Sequence, residues 1–377
     1  MRIAYVSLHW PRTFSSGVGK KIHRHLNAWK LKGHDVRLFM HTANEPGLDF
    51  LPGDKFFYPT QNGFAQREIG RVRAAKKMLR AVERYRPDLI YLRYGIYVYP
   101  VHRLAYTAPV VEEINTNDVE QHKELGVVYS LYNRFTRGIL LRSISGLVCV
   151  SKELAKLSVF RNFRKPTKVI ANGIDLNKFT PLDTPNNSLP RIIFIGEHGH
   201  SWHGVDKIVS LARNFSDIRI NLIGYEALPE NEPLPDNLIS HGYLSSEEYL
   251  TLFSLADVAI SSLALHRVNL TEASPLKSRE YLAYGLPTII AYKDTDLEKV
   301  ETDYILKIPN TEDNILTHGK LIRDFAYEMR GRRVDHKLIA PHIDNQVKEC
   351  KRLAFFEEII QHKTQEGMRN NHKKTLL

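Results

Sequence analysis

The sequence predicts an α/β protein built from two doubly wound parallel sheets. Short apolar runs typical of buried strands alternate with amphipathic helical stretches, which implies parallel strands joined by right-handed crossovers. The alternation occurs twice, before and after a proline-rich segment without periodicity at 179–190. At 377 residues the chain is long enough for two domains, each with its own hydrophobic core.

Six apolar runs in the first half have the length and composition of strands. They lie at 3–8, 35–40, 88–94, 109–114, 146–150 and 168–171. Amphipathic stretches between them predict helices at 20–32, 66–86 and 119–142. We expect these elements to form an N-terminal domain at 1–182.

The second half repeats the pattern. Predicted strands lie at 191–196, 218–224, 237–242, 257–263 and 287–292, and predicted helices at 204–215, 245–255, 275–285 and 311–330. We expect a C-terminal domain at 190–335. A tail at 336–377 follows, with a helical pattern at 347–362.

Composition predicts a soluble enzyme without a metal or a cofactor. No run reaches the roughly 18 apolar residues of a membrane span, and the N-terminus lacks a signal-peptide pattern, so we expect a cytoplasmic protein. Cys149 and Cys350 are the two cysteines, far apart and without metal-ligand spacing. No H-E-x-x-H motif occurs.

Positive charge is concentrated in the first half. Residues 1–185 contain 30 Lys and Arg against 15 Asp and Glu, whereas residues 186–377 contain 23 against 27. An amphipathic helix at 67–86 carries much of the excess, on a face formed by Arg73, Lys76, Lys77, Arg80 and Arg84. This face suits anionic lipid at the inner face of the plasma membrane, or is simply solvated; nucleic acid is the least favoured partner because no nucleic-acid-binding module is recognisable.

The segment TEASPLKSREYLAYGLP at 271–287 has the pattern of a short helix near two carboxylates. Pro275 is typical of a helix start, and the Gly-Leu-Pro sequence at 285–287 is typical of a helix stop. Glu272 precedes the predicted helix, and Glu280 lies inside it.

This pattern suits a nucleotide sugar. A helix start offers free backbone N–H groups, and beside Ser274 and Lys277 these would hold phosphate. The carboxylates of Glu272 and Glu280 would accept hydrogen bonds from sugar hydroxyls at both ends of the ligand.

The same segment resembles the E-x7-E signature of retaining, nucleotide-sugar-dependent glycosyltransferases of the GT-B fold, family-4 type, close to the string S-P-x-K-x-x-E-Y-x-A-x-G-x-P. The sequence at 172–181 is similar to the family's N-G-[IV]-D-x-x-x-F-x-P turn. The resemblance implies two Rossmann-like domains facing a central cleft, with the nucleotide sugar bound by the C-terminal domain and the final helix returning to the N-terminal domain.

The resemblance also implies roles for individual residues. Glu272 would position the transferred sugar and Glu280 the ribose. Lys277, Arg279 and the helix start beside Ser274 would bind the donor phosphates. No metal is needed if these cations neutralise the diphosphate.

Gly17 and Gly19 precede a predicted helix, where backbone N–H groups approach an anion closely. The sequence is not a P-loop, because Phe14 and Lys21 replace the required glycine and hydroxyl residue. It is not a dinucleotide-binding fingerprint either, because Ile22 replaces the third glycine. It resembles the family's glycine loop, which faces the donor diphosphate and the acceptor.

The strand end VVEEINTNDVEQ at 110–121 collects polar residues that, by resemblance, face the acceptor and the transferred sugar. Asn115 stands where many relatives carry a histidine, and we assign it to the catalytic set. An alternative for Asn117 or Asp118 is capping of the following helix.

Two donor-side cations of the family are replaced. The chain has Glu197 and His203 where relatives carry an arginine and a lysine that hold the phosphates. Lys277 and Arg279 would compensate, and a protonated His203 could contribute. Tyr225 stands where relatives receive the nucleoside, so it either stacks on the base or packs at the rim.

These observations predict a hexosyltransferase that uses a nucleotide diphosphate sugar. Its acceptor would be a hydroxyl of a glycan or a lipid-linked molecule in the synthesis of bacterial surface polysaccharide or glycoconjugate. The transition state places charge on the leaving diphosphate, so electrostatic stabilisation and positioning carry the catalysis. Two alternatives remain: a sugar-nucleotide epimerase of the same architecture, and a catalytically degenerate binding protein.

Overall fold

The chain divides into two compact units. Unit 1 contains Met1–Ile170 and Lys348–Leu377, and unit 2 contains Ala171–Val347. The computed structural model describes residues 1–8, 17–43, 53–60, 63–124, 126–226 and 233–375. None of the helices in these ranges is both long enough and apolar enough to cross a membrane.

Unit 1 is built on a seven-stranded parallel sheet. Its strands are β1 (Arg2–Ser7), β2 (Asp35–Thr42), β3 (Asp54–Phe57), β4 (Leu89–Arg93), β5 (Val110–Ile114), β6 (Gly146–Cys149) and β7 (Thr167–Val169). They are arranged in the order β3-β2-β1-β4-β5-β6-β7. The chain therefore builds outward from β1 in one direction and then in the other, which makes the sheet doubly wound.

Helices connect these strands. They are α1 (Gly17–Leu31), α2 (Phe64–Tyr85), α3 (Asp118–Glu124), α4 (Val127–Ser143), α5 (Lys152–Lys156) and α6 (Ser158–Arg161), with a 3-10 helix at Val101–Tyr106. The sequence predicted one helix at 119–142. The structure has two, α3 and α4, with Gly126 between them at a φ of +106°.

Unit 2 contains a six-stranded parallel sheet and a two-stranded one. The strands are β8 (Arg191–Ile195), β9 (Arg219–Ile223), β10 (Leu238–Ser240), β11 (Val258–Ile260), β12 (Glu272–Ala273), β13 (Thr288–Ile290), β14 (Lys293–Asp294) and β15 (Ile305–Lys307). The larger sheet has the order β10-β9-β8-β11-β13-β15, and β12 pairs with β14.

The remaining helices are α7 (Val205–Asn214), α8 (Ser246–Leu255), α9 (Leu276–Ala283), α10 (Asn314–Glu328), α11 (His336–Ile343) and α12 (Asn345–Thr375), with 3-10 helices at Leu176–Lys178, Ser201–His203 and Leu265–Val268. α12 contributes Leu353, Phe356 and Ile359 to the core of unit 1. Phe356 packs against Trp29 with the ring centroids 5.4 Å apart.

The boundary between the units differs from the sequence-based one. Residues 171–189 belong to unit 2 because they are bonded to α9 and its flanks: Phe179 packs on Tyr284 at 4.9 Å, and Leu182 N–H donates to the Tyr284 carbonyl at 3.0 Å. Residues 336–347 also belong to unit 2. The proline-rich composition at 179–190 indicated a linker, but these contacts attach the segment to the second core.

Four strands were missed, of which β12 and β14 have two residues each. β3 is a four-residue edge strand with partly exposed side chains, and β15 has three residues. Strands this short provide too few alternating positions for a periodic signal. The predicted strands of both sheets otherwise coincide with observed ones within a few residues.

Candidate functional site

The carboxyl ends of β8 and β9 form the floor of the candidate site in unit 2. β8 lies between β9 and β11, where the strand order reverses, and open α/β sheets bind ligands at such points. The loops after β8 and β9 approach closely. A Cβ atom at Gly224, whose φ is +91°, would lie 1.9 Å from the Gly196 carbonyl oxygen, so glycine is required there.

Helix α9 begins beside these strand ends. Pro275 precedes its first residue, Leu276, and the side chain of Pro275 makes no capping hydrogen bond to the first turn. The first-turn N–H groups of such a helix favour an anion. The helix predicted at 275–285 is therefore present, two residues shorter at its C-terminal end.

Lys277 places a buried amine in the first turn of α9. Its Nζ lies 4.2 Å from the centre of the Phe194 ring and has no hydrogen-bond partner among the described residues. Burial lowers the pKa of Lys277 to about 7. The amine is therefore about half protonated at neutral pH, and a neighbouring anion would favour the charged form.

Arg279 has a different role from the one predicted. Its side chain is fully buried, and its guanidinium forms a two-pronged ion pair with Asp294 and a 3.1 Å bond to Asp296. Nε donates to the carbonyl of Asn172 at 3.1 Å. Two carboxylates already neutralise its charge, which disfavours the predicted binding of the donor phosphates by Arg279.

Ser274 joins the two family-like motifs. Its Oγ accepts a hydrogen bond from Asn172 N–H at 2.9 Å, and its carbonyl accepts one from Asn172 Nδ2 at 2.5 Å. Together with Arg279, these bonds hold the turn at 172–175 against the start of α9. Ser274 therefore has a structural role here, whatever it contributes to a ligand.

The two carboxylates of the motif are half-buried. Glu272 lies in β12, in register with Lys293 of β14. Glu280 lies in the second turn of α9 and accepts a 2.7 Å hydrogen bond from the Tyr249 hydroxyl. Tyr249 therefore orients the Glu280 carboxylate, a contact that the sequence did not indicate.

His203 and Tyr225 form a buried hydrogen-bonded pair. The Tyr225 hydroxyl donates to the Glu197 carbonyl at 3.0 Å, so His203 Nδ1, at 2.8 Å, is the donor to the tyrosine oxygen. Burial, with the charges of Lys277 and His200, holds the pKa of His203 well below its usual value. This shift favours the neutral imidazole and disfavours the predicted phosphate-binding cation at His203.

Tyr225 does not match its expected role either. The residue is only 4% exposed and belongs to the core of unit 2, where its ring packs near Phe194. The structure supports the packing alternative rather than stacking on a base. Sequence position alone could not distinguish the two, because both need an aromatic residue at the end of the strand.

In unit 1, buried charges meet at the carboxyl ends of β4 and β5. Glu113 is contacted by Lys21 Nζ at 2.8 Å and by an Arg93 nitrogen at 3.2 Å. Burial opposes ionisation of Glu113, but Lys21, Arg93 and other cations hold its pKa well below the usual range. Burial lowers the pKa of Lys21 to about 8, while Glu113 opposes that shift.

This cluster fixes the side chain of Asn115. Its Oδ1 accepts a 2.6 Å hydrogen bond from Lys21, and its Nδ2 donates to Glu113 at 3.2 Å. Lys21 and Glu113 were not among the predicted site residues. A signal was present in the sequence: a lysine in the helix after β1, and a glutamate inside an apolar strand.

The structure describes only some surroundings of the other predicted residues of unit 1. Gly17 and Gly19 lie in the first turn of α1, and residues 9–16 before them are outside the described part of the chain. Asp118 is almost fully buried, where it pairs with Arg137 and accepts from Tyr94. It therefore connects α3 to α4.

No group of three or more His, Cys, Asp or Glu side chains in the described ranges is arranged to hold a metal ion.

Comparison with known proteins shows what this chain is similar to. Residues 15–178 match the protein-family model Glycosyltransferase Family 4. These residues are less than half of the chain, and over this part the chain is similar to that family. A sequence search of curated proteins found no match to this chain.

Solved structures share its fold over nearly the whole chain. Sucrose-phosphate synthase from Thermosynechococcus elongatus has a TM-score of 0.67 at 13% identity, covering 96% of this chain and 100% of its own. The lipopolysaccharide outer core galactosyltransferase WaaB has 0.65 at 11%, covering 96% and 100%. Anabaena Alr3699/HepE in complex with UDP-glucose has 0.60 at 14%, covering 95% and 99%.

Replacing Asp294 with Asn tests the structural role of Arg279. Asp294→Asn leaves a buried guanidinium with one carboxylate, so we expect the free energy of unfolding to fall by about 3 kcal/mol. Asp296→Asn is the matched control, and it should cost less because this carboxylate is partly exposed whereas that of Asp294 is fully buried. Urea unfolding measures both. If Asp294→Asn instead keeps full stability and tightens nucleotide-sugar binding, Arg279 is a ligand-binding cation after all.

Proposed function

We propose that this protein is a glycosyltransferase that moves a hexose from a nucleotide diphosphate sugar to a hydroxyl of a glycan or lipid-linked acceptor, with retention at the anomeric carbon. The product would belong to bacterial surface polysaccharide or glycoconjugate. One observation carries the proposal: the buried amine of Lys277, without a hydrogen-bond partner in the described ranges, beside the uncapped start of α9. Supporting it, HepE was crystallised with UDP-glucose, and WaaB is a galactosyltransferase.

The donor diphosphate would bind at the start of α9. The first-turn N–H groups would donate hydrogen bonds to its oxygens, and Lys277 would supply positive charge in a site of low dielectric constant. Charge develops on the diphosphate as the glycosidic bond breaks, so this cation stabilises the transition state more than the ground state. Arg279 and His203 contribute no net charge to this step, because one is paired and the other is neutral.

The carboxylates would bind the two ends of the donor. Glu280, oriented by Tyr249, would accept hydrogen bonds from the ribose hydroxyls, since a carboxylate has about four acceptor positions. Glu272, on β12, would position the hexose.

The acceptor side is assigned to unit 1. Asn115, fixed by Lys21 and Glu113, would contact the transferred sugar through an amide whose orientation is already set. Backbone N–H groups at Gly17 and Gly19, in the first turn of α1, would face the donor diphosphate.

The basic face of α2 would meet an anionic membrane that holds the acceptor. All five predicted residues are exposed, namely Arg73, Lys76, Lys77, Arg80 and Arg84. Ile69 of the same helix is also exposed and lines a groove of about 680 Å³ with Arg73 and Lys77. Clustered cations near such a surface contribute about 1 kcal/mol each.

Lys277→Met tests the proposal by separating stability from function. Removing an unpartnered buried amine should raise the free energy of unfolding at pH 7 by about 1 to 3 kcal/mol. The same change should abolish nucleotide-sugar binding and turnover, because the phosphate loses its cation. Thermal unfolding with and without UDP, GDP, ADP, CMP and dTDP sugars measures both effects, since a ligand of the native state raises the melting temperature.

The outcomes of this screen distinguish the alternatives. Transfer of labelled hexose to an acceptor by the parent, and none by Lys277→Met, supports a transferase. Release of free UDP with an altered sugar and no acceptor glycosylation supports an epimerase. Tight binding without turnover supports a binding protein, and activity of Lys277→Met within about threefold of the parent, roughly 0.7 kcal/mol in barrier height, removes Lys277 from the mechanism.

Glu280→Gln tests the ribose assignment. The change removes a charged acceptor, so the donor dissociation constant should rise by about tenfold or more, with a smaller effect on kcat. Tyr249→Phe is the matched control: it keeps the carboxylate and loses only its orienting bond, so its effect should be smaller. Calorimetric titration of the donor measures both, and an unchanged affinity for Glu280→Gln would show that the ribose binds elsewhere.

A further inference from the structure

Up to residue 139, helix α4 buries polar residues and exposes apolar ones, whereas Leu140 and Leu141 at its C-terminal end are buried. Asn133 and Arg137 are buried, and both donate to the Asp118 carboxylate, with the shortest bonds at 2.7 Å. The exposed side instead carries a stripe of apolar side chains, which we call the α4 stripe: Val127, Val128, Leu131, Phe135 and Ile139. Val127 is 75% exposed and Phe135 is 76% exposed.

This arrangement reverses the usual pattern of a surface helix, whose apolar face packs on the core and whose polar face meets water. The Asp118 network attaches α4 to α3 and to Tyr94, which follows β4, by hydrogen bonds and an ion pair. The apolar side chains of the stripe therefore face outward. Their spacing of three and four residues is the one that normally places side chains in the core. A contiguous exposed apolar patch of this kind marks an interaction site.

The charges around the α4 stripe select its partner. α4 contains no Asp or Glu, and its Arg134 and Arg142 are exposed. A second copy of the chain packed on this face would bring the same arginines against each other without carboxylates from either helix. An anionic lipid surface instead pairs with these arginines and accepts the apolar side chains.

Tyrosines border the α4 stripe. Tyr129 and Tyr132 of α4 are partly exposed, and Tyr132 donates to the Tyr97 carbonyl at 3.1 Å. Tyr106, at the end of the 3-10 helix that packs against α4, is 83% exposed. Tyrosine is enriched at the boundary between headgroups and acyl chains, because its ring is apolar and its hydroxyl is polar.

We propose that α4 is a membrane-inserting helix, whose stripe enters the headgroup and acyl boundary of a membrane containing anionic phospholipid. Membrane insertion would bring the enzyme to a lipid-linked acceptor, and in this respect the proposal rests on the proposed function. The two helices then act differently. The basic face of α2 is attracted to the membrane electrostatically, and salt screens this attraction. Insertion of α4 depends on burial of apolar side chains, so its contribution to binding should persist at high salt.

A vesicle assay tests insertion directly. The double variant Leu131→Asn, Phe135→Asn removes two side chains from the stripe, and Leu31→Asn is the matched control, because Leu31 is also in unit 1 and 88% exposed but lies outside the stripe. We expect co-sedimentation with mixed phosphatidylcholine and phosphatidylglycerol vesicles at high salt to weaken by about tenfold or more in the double variant, with no change in the control.

A tryptophan reporter separates insertion from attraction. On addition of vesicles, the emission of Phe135→Trp should shift to shorter wavelength relative to the parent, and that of Leu31→Trp should not. Changing Arg73, Lys76, Lys77, Arg80 and Arg84 to Gln should reduce binding at low salt, while the shift persists for the bound fraction.

Other outcomes overturn the proposal. They are equal sedimentation of the double variant and the parent, no vesicle binding by the parent, or no emission shift at position 135. Self-association of the parent without lipid, lost in the double variant, would make the stripe an interface between copies. Because no donor is present in these assays, failure of donor binding would contradict the proposed function and leave insertion standing.

Discussion

The buried ion pair between Arg279 and Asp294 determines the chemistry of the α9 site. It neutralises the positive charge of Arg279. Together with the bond to Asp296, it also holds the segment after β13 against α9. The same guanidinium bonds the Asn172 carbonyl and so aligns the turn at 172–175 with the helix start. Breaking a buried pair on one side is costly, so this arrangement is rigid. Lys277 is left as the cation for a ligand.

Lys277 would favour binding of an anion at the start of α9, but its burial lowers the free energy of unfolding. A buried amine without a hydrogen-bond partner among the described residues disfavours folding. The lowered pKa of Lys277, about 7, reflects this loss of stability. Because the amine of the unfolded chain titrates near 10.5, the folded state binds fewer protons between about pH 7 and 10.5, and stability rises with pH across this window. A diphosphate at the start of α9 would reverse the penalty. A loss of stability of this kind is common at sites that are selected for binding rather than for stability.

The sequence predicted the fold and the position of α9 but not the pairing of its side chains. Strand periodicity and helix punctuation are local, so both sheets and the helix at 276–283 could be predicted. The neutralisation of Arg279 depends on a loop that folds back from β13, and the burial of Tyr225 depends on packing of β8 and β9. For α4, periodicity indicated a helix, but the Asp118 network decides which face is buried.

Proton uptake on donor binding tests the central claim about Lys277 most directly. The nucleotide sugar with the largest thermal shift is titrated calorimetrically near pH 8 in buffers that differ in ionisation enthalpy. A bound diphosphate raises the pKa of Lys277 from about 7, so affinity should fall as pH rises above 7, and the parent should take up close to one proton. Lys277→Arg, which stays charged, should take up none. Uptake of no proton by the parent, or equal uptake by both proteins, would contradict the account.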